Sequence, residues 1–323
     1  MLAAFFESQG RADQVIRVGE VEEPAPGPGE VRVKLRYSGV NPTDWKSRSG
    51  ATPARIDGYQ IPHHDGAGDI DRVGEGVDPG LIGQRVWVWL AAAGRRWGTA
   101  AEWTVVPRAQ AVPLPEGASY ELGASLGVPA MTAHRCLFAD GEVQGGTVLV
   151  AGGAGAVGHF AIELAKHHGA RVATTVSGEE KAELARRAGA DLVVNYRADG
   201  ALDQLRAFSP QYDRIVEVNL GANLGMDLAL AGPNTSIVVY AASGQDPVLP
   251  VRPCMNSNAS MRFVLLYGVP RPALEEAAAD ITRALVAGSL SELPVQRFPL
   301  ENCARAQDAV EAGAVGKVLL EIG

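Results

Sequence analysis

The chain has 323 residues, a formal net charge of −8, 46% apolar and 20% charged residues. That length points to two domains rather than one core, and the balance is that of a globular chain rather than a disordered one. An acidic chain without a basic stripe argues against nucleic acid as a primary partner, and no apolar run is long enough to span a membrane.

Residues 1–7 carry neither a basic start nor a long apolar segment, so no secretory signal is expected. Cys136, Cys254 and Cys303 are widely spaced and form no CxxC pair, which suits a reducing, cytoplasmic setting. From 1 to about 115, short β-type runs alternate with Gly and Pro, and strands are expected over 15–21, 31–37, 85–90 and 103–106. In the second, Val31, Val33, Leu35 and Tyr37 alternate with Arg32, Lys34 and Arg36, the period-two pattern of a half-buried strand. Residues 24–30, with three prolines and two glycines, read as an exposed turn. Trp87 and Trp89 fall on one face of the third run and are expected in the core.

From about 120 to 265 the rhythm becomes strand, helix, strand. Strands are expected over 147–151, 171–176, 192–195, 214–218 and 236–241, with helices over 156–168 and 179–188. Such alternation implies right-handed crossovers and a parallel sheet. In the tail, a helix over 272–287 puts Leu274, Ala278, Ile281 and Leu285 on one face, and a strand over 317–322 ends the chain. Because β-rich sequence flanks the α/β block, the α/β domain is expected as an insertion, with boundaries 1–122, 123–267 and 268–323. A cleft between two such domains is the default place for a ligand.

The sharpest chemical signal is the loop after strand 147–151. Gly152, Gly155 and Gly158 are spaced by three, with Ala156 and Val157 between the last two. A strand turning tightly into a helix presents free N–H groups and the positive end of the helix dipole, which suits a pyrophosphate. The spacing departs from strict GxGxxG, so a tight packing turn is the competing reading. The next strand, 171–176, ends without the Asp or Glu that would bind a ribose 2′-hydroxyl. Ser177 and Lys181 stand there instead, which favours a phosphate and hence NADPH. Ser177 with Glu180 also fits a capping box, and Lys181 also fits a solvated surface.

In order and spacing these segments resemble the zinc-independent quinone oxidoreductases of the zeta-crystallin type, within the medium-chain dehydrogenase/reductase superfamily. The resemblance covers essentially the whole chain. It rests on 38–50 (with Asn41, Pro42 and Asp44), 62–68 (with His63, His64 and Asp65), 129–133 (with Thr132), the glycine loop, 188–196 (ending in Asn195 and Tyr196) and 316–320 (with Lys317). It implies an α/β fold: a GroES-like β-rich catalytic domain with an inserted Rossmann domain, a doubly wound parallel sheet. It implies NADPH, with Lys181 and Tyr196 on the 2′-phosphate, Ser177 nearby, and Asn41 and Thr132 near the nicotinamide and its ribose. Leu266 and Tyr267 lie where main-chain groups hold the carboxamide, and Lys317 joins the cofactor-binding set. Asn219 either reaches the cofactor or closes a turn. Asn41 is also read as a cap before Pro42, and Tyr196 as an aromatic packing on the adenine side. Relatives usually pair through a sheet edge, so a homodimer is expected, with run 261–267 as either that edge or an interior strand.

Zinc-dependent relatives carry a cysteine at Asn41, a histidine near His64 and a second cysteine near Val128. Only His64 remains here, and one imidazole does not make a tetrahedral site. On an extended segment His63 and His64 would point to opposite faces. No metal is therefore expected. Without a Lewis acid the acceptor must take hydride unaided, which suits quinones and conjugated enones. The expected enzyme is an NADPH:quinone oxidoreductase; a 2-enoyl thioester reductase and a non-catalytic NADPH-binding protein are the alternatives. Asn41 and Asp44 are the candidate catalytic residues, with Tyr59 and His64 as further proton-donor candidates. Asp44 also reads as a structural cap.

Overall fold

The computed structural model describes residues 1–53, 56–242 and 244–323. The chain divides into two units, Met1–Val128 with Glu292–Gly323, and Pro129–Ser291.

The first unit opens with β1 (Leu2–Phe5), α1 (Ala12–Val15) and β2 (Arg17–Glu20), then β3 (Glu30–Val40), α2 (Pro42–Ser49), β4 (Asp65–Val73), β5 (Arg85–Val88), β6 (Trp103–Pro107) and β7 (Ala111–Pro113). The strand expected over 15–21 is thus shorter, because residues 12–15 close a helical turn first. In β3, Val31, Val33 and Leu35 are buried and Lys34 and Arg36 exposed, as the alternation requires. Arg32 breaks the pattern. The residue is 4% exposed and its guanidinium forks onto Asp71 at 3.0 and 2.6 Å, with Glu23 at 3.2 Å, so its charge is matched where it is buried. Trp87 and Trp89 are buried.

α3 (Tyr120–Phe138) contains the boundary between the units and was not foreseen. Pro129 sits inside it, and Gly123 and Gly127 dilute its apolar period. Gly127 is needed there: a Cβ would lie 2.1 Å from the Asp65 carboxylate.

The second unit continues with β8 (Thr147–Ala151), α4 (Ala156–His167), β9 (Arg171–Val176), α5 (Glu179–Arg187), β10 (Leu192–Asn195), α6 (Ala201–Phe208), β11 (Tyr212–Glu217), α7 (Leu220–Leu230), β12 (Ala231–Val239), α8 (Val251–Ser257), β13 (Ser260–Phe263) and α9 (Arg271–Val286). Its six strands are all parallel, in the order β10-β9-β8-β11-β12-β13. The chain winds outward from β8 one way to β10, then returns to β11 and winds the other way. The carboxyl ends of β8 and β11 therefore form the switch point where such sheets bind ligands. Leu149, Ala173, Val194, Ile215 and Ile237 supply one face of the core. Leu274, Ala278, Ile281 and Leu285 are buried on α9, and α9 belongs to this unit although 268–323 was read as a return to the first domain.

The first unit is completed by β14 (Val295–Pro299), α10 (Cys303–Glu311) and β15 (Lys317–Glu321). Its seven-stranded sheet runs β14-β15-β3-β4-β5-β7, with β6 also on β3. The antiparallel register of β15 on β3 pairs Val318 with Val40, which carries Lys317 to Asn41. Among the described residues no helix is long and apolar enough to cross a membrane.

Candidate active site

In the second unit the glycine loop divides its work among its residues. Gly152 takes φ +74°, which an L side chain rarely adopts. Gly158 lets α4 close onto the loop, since a Cβ there would meet the Gly152 carbonyl oxygen at 2.3 Å. Gly155 is the exposed N-cap of α4, and no side chain caps that end. The amides of Ala156 and Val157 thus begin a 12-residue helix without intrahelical acceptors, beside a glycine whose Cβ position would meet only the Gly152 carbonyl oxygen, at 3.4 Å.

At the end of β9 the capping alternative for Ser177 is not realised: Gly178 is the N-cap of α5, without a side-chain cap. Tyr196 follows β10, its N–H donating to the Val176 carbonyl at 3.1 Å, which sets it beside Ser177. Tyr196 is 49% exposed and the Arg197 guanidinium lies 5.8 Å from its ring centroid. Arg197 is a second cation at this strand end that the sequence reading passed over. Glu179 is tied to Arg186 at 2.7 Å, which offsets the local negative charge around Lys181. Thr132 is buried on α3, and Asn219 is the N-cap residue of α7. Leu266 is 3% exposed, so its side chain is core and only its main chain is left for a ligand; Tyr267 is 37% exposed.

A cavity of about 630 Å³ in this unit opens at the ends of β12 and β13, lined chiefly by Leu220, Val239, Ala241, Met261, Phe263 and Leu265.

In the first unit, Asn41 sits at the end of β3 and caps α2, with Pro42 at the first helical position. Its backbone N–H donates to the Asp44 carboxylate at 2.7 Å. Asp44 is buried, and burial holds its carboxyl well above the usual range. The structural cap reading of Asp44 is thus realised. The Asn41 side chain turns away from the cap. Its Nδ2 donates to Asp65 at 2.7 Å, and its Oδ1 accepts from the Lys317 ammonium at 2.7 Å. Lys317 lies 3.7 Å from Asp65, with side chains 2% and 0% exposed. The second Asp65 oxygen accepts the Val128 N–H at 2.8 Å. Burial lowers the Lys317 pKa and raises that of Asp65, each opposed by the other's charge.

Behind this cluster runs a buried chain of hydrogen bonds. Arg48 Nε donates to Gln307 Oε1 at 3.0 Å, and Gln307 Nε2 meets His63 Nε2 at 3.2 Å. His63 Nδ1 pairs with Ser38 Oγ at 2.9 Å, Ser38 with Thr99 at 2.7 Å, and Thr99 donates to the Asp65 carbonyl at 2.6 Å. Since Gln307 donates, the network assigns the imidazole proton to Nδ1. Burial pushes His63 down to about 3 and His64 to about 4, so both are neutral near pH 7. His63 takes φ +75°, so the segment is not extended there and the expected opposition of His63 and His64 does not describe it. Tyr59 is held by Phe5 and Trp97, with the Arg96 guanidinium 4.8 Å from its ring centroid.

Two family models match the chain: "Alcohol dehydrogenase GroES-like domain" over residues 27–116 and "Zinc-binding dehydrogenase" over 156–283. The quinone oxidoreductase of Rattus norvegicus is 30% identical over 306 residues, covering 93% of this chain and 92% of the relative. The chain belongs to the medium-chain dehydrogenase/reductase superfamily, on its quinone-oxidoreductase-like branch. Among solved structures, an NAD-dependent alcohol dehydrogenase superposes with a TM-score of 0.91 at 26% identity, covering 100% of both chains. A mycobacterial protein complexed with NADPH gives 0.85 at 28% identity, covering 99% of both.

One of those models is described as zinc-binding, and the residues of this superfamily member do not fit a catalytic zinc. Both polar ends of the Asn41 amide are committed to Asp65 and Lys317, Val128 offers no side-chain donor, and an ammonium already compensates the Asp65 carboxylate. Among the described residues no three His, Cys, Asp or Glu side chains are grouped to hold a metal ion.

Proposed function

We propose that this superfamily member is an NADPH-dependent reductase that delivers hydride to quinones or related conjugated enones without zinc. The observation that carries the reading is the Lys317 ammonium bonded to Asn41 and facing Asp65, where a zinc enzyme would need thiolate and imidazole ligands.

The coenzyme fits the second unit. Gly152 and Gly155, whose own amides donate to Thr175 and Gly152, shape the loop, and the free amides of Ala156, Val157 and Gly158 receive the pyrophosphate. Ser177, Lys181 and Tyr196, with Arg197, receive the 2′-phosphate, while Thr132, Asn219, Leu266 and Tyr267 hold the nicotinamide end. Bound NADPH supplies the hydride. The chain's own part is alignment and exclusion of water. Asn41, its amide fixed by Asp65 and Lys317, orients the reacting partner, and Asp44 keeps the α2 cap in place. His64, neutral near pH 7, holds no acidic proton to give, so solvent supplies the proton.

The mostly apolar wall formed by Leu220, Val239, Met261, Phe263 and Leu265 suits a flat, apolar acceptor. A homodimer through the β13 edge completes the reading, since β13 ends the sheet and leaves one side of its backbone unpaired. Its free thiols suit the cytoplasm. The test is a panel of acceptors with NADPH. Turnover of a benzoquinone or naphthoquinone supports the reading. Turnover of only a crotonyl thioester replaces it with an enoyl reductase, and tight NADPH binding without any oxidation replaces it with a non-catalytic binder.

A further inference from the structure

Glu217 ends β11 at the switch point, and Asp227 lies on α7, which follows it. Both carboxyls are 0% exposed. Glu217 accepts from the Asn219 N–H and from the Asn223 amide at 3.0 and 3.2 Å. Among the described residues no N–H or hydroxyl donates to either oxygen of Asp227, and the group that acts on it is the Glu217 carboxyl. Two buried carboxyls this close in influence are held together at least cost by one shared proton. Among the described residues no ion pair reaches either carboxyl; the groups acting on the pair are Asn219, Asn223 and the Val218 backbone, with Tyr240 just past the end of β12 acting on Glu217. Burying two unpaired negative charges together is far costlier than retaining one proton.

The place of the pair gives that proton a consequence. Glu217 holds the first turn of α7, headed by Asn219. Val218 borders the glycine loop, with its Cγ1 3.3 Å from where a Gly152 Cβ would lie. Leu220 and Gly221, next along, line the apolar cavity. We infer that Asp227 is a positioning residue: it stays a neutral acid, donates its one proton to Glu217, and so holds the segment 217–221 in its coenzyme-binding form. Loss of that proton puts two charges under the segment and loosens it. NADPH affinity is then coupled to a single buried proton. The inference rests on the coenzyme reading above, and its test separates the two.

The direction of the effect follows from burial, which raises Asp227 to about 8, with the Glu217 charge adding to the shift. NADPH binding is followed by fluorescence from pH 7 to pH 9.5. For the unaltered protein the dissociation constant rises about tenfold per pH unit once above that value, as one linked proton requires. Asp227→Asn keeps a donor toward Glu217 but has no proton to lose, so its curve stays flat. Asp227→Ala, which leaves Glu217 without that donor, binds at least about tenfold more weakly at pH 7. A second readout needs no coenzyme: the infrared spectrum of the unaltered protein minus that of Asp227→Asn shows a protonated carboxylic acid band at pH 7, the buried Asp44 being common to both. Parallel pH curves for the unaltered protein and Asp227→Asn, or no acid band in that difference spectrum at pH 7, overturn the inference. If no variant binds NADPH at any pH, the coenzyme reading fails and the infrared band alone decides whether the pair holds its proton.

Discussion

Lys317 donates to the Asn41 carbonyl oxygen at 2.7 Å although the two residues stand 276 positions apart. The contact exists because the last strand, β15, pairs antiparallel with β3. It fixes which end of the Asn41 amide is which, since Asp65 takes the donor end.

Lys317→Met leaves Asp65 buried without its counter-charge. The expected loss is about 3 kcal/mol of folding stability, read as a lower urea midpoint. Lys317→Arg does not rescue it, because Gly39 crowds the site: a Cβ there would already lie 3.2 Å from the Lys317 Cε.

The glycine loop separates folding from binding. Gly158→Ala drives a Cβ into the Gly152 backbone and costs about 2 kcal/mol. Gly155→Ala meets only one atom, at 3.4 Å, and costs about 1 kcal/mol or less. The same Gly155→Ala weakens NADPH by at least about tenfold, because the added methyl takes up space the pyrophosphate needs to approach the loop. Thermal melts beside binding isotherms check both halves.

Lys181→Glu raises the Michaelis constant for NADPH by about tenfold or more and leaves that for NADH nearly unchanged, because only NADPH carries the charged 2′-phosphate. Equal changes for both coenzymes remove Lys181 from the phosphate site. Arg197→Ala has the same sign and a smaller size.

His63 makes the first unit sensitive to acid. Burial lowers its pKa to about 3 from 6.5. Below 6.5 the unfolded chain binds the proton and the folded one does not. The stability held by the neutral imidazole is therefore full above pH 6.5 and is lost as pH falls toward 3. In His63→Asn, which tolerates the positive φ, the difference in unfolding free energy between pH 7 and pH 5 shrinks by about 2 kcal/mol. Urea titrations at the two pH values measure it.

Much of the second unit was legible in the chain. The runs 147–151, 171–176 and 192–195 are strands with those same bounds, because parallel strands buried on both faces read as unbroken apolar or β-branched runs between helices. α3 was not legible, since Pro129 and two glycines hide its period. The partners of Asn41 were not legible either. Asp65 looked like part of a histidine cluster, and Lys317 like the start of a terminal strand, until sheet register brought both to one amide. The acid pair stayed hidden for a different reason: Asp227 has the spacing of any polar residue on a helix, and only its burial against Glu217 marks it out.

Hydride transfer from NADPH without metal help is the step on which the proposed activity depends. The direct measurement is steady-state oxidation of NADPH by a naphthoquinone, using protein exhaustively treated with a strong zinc chelator. Undiminished turnover after that treatment is expected. Turnover that vanishes and returns on adding stoichiometric zinc contradicts the account.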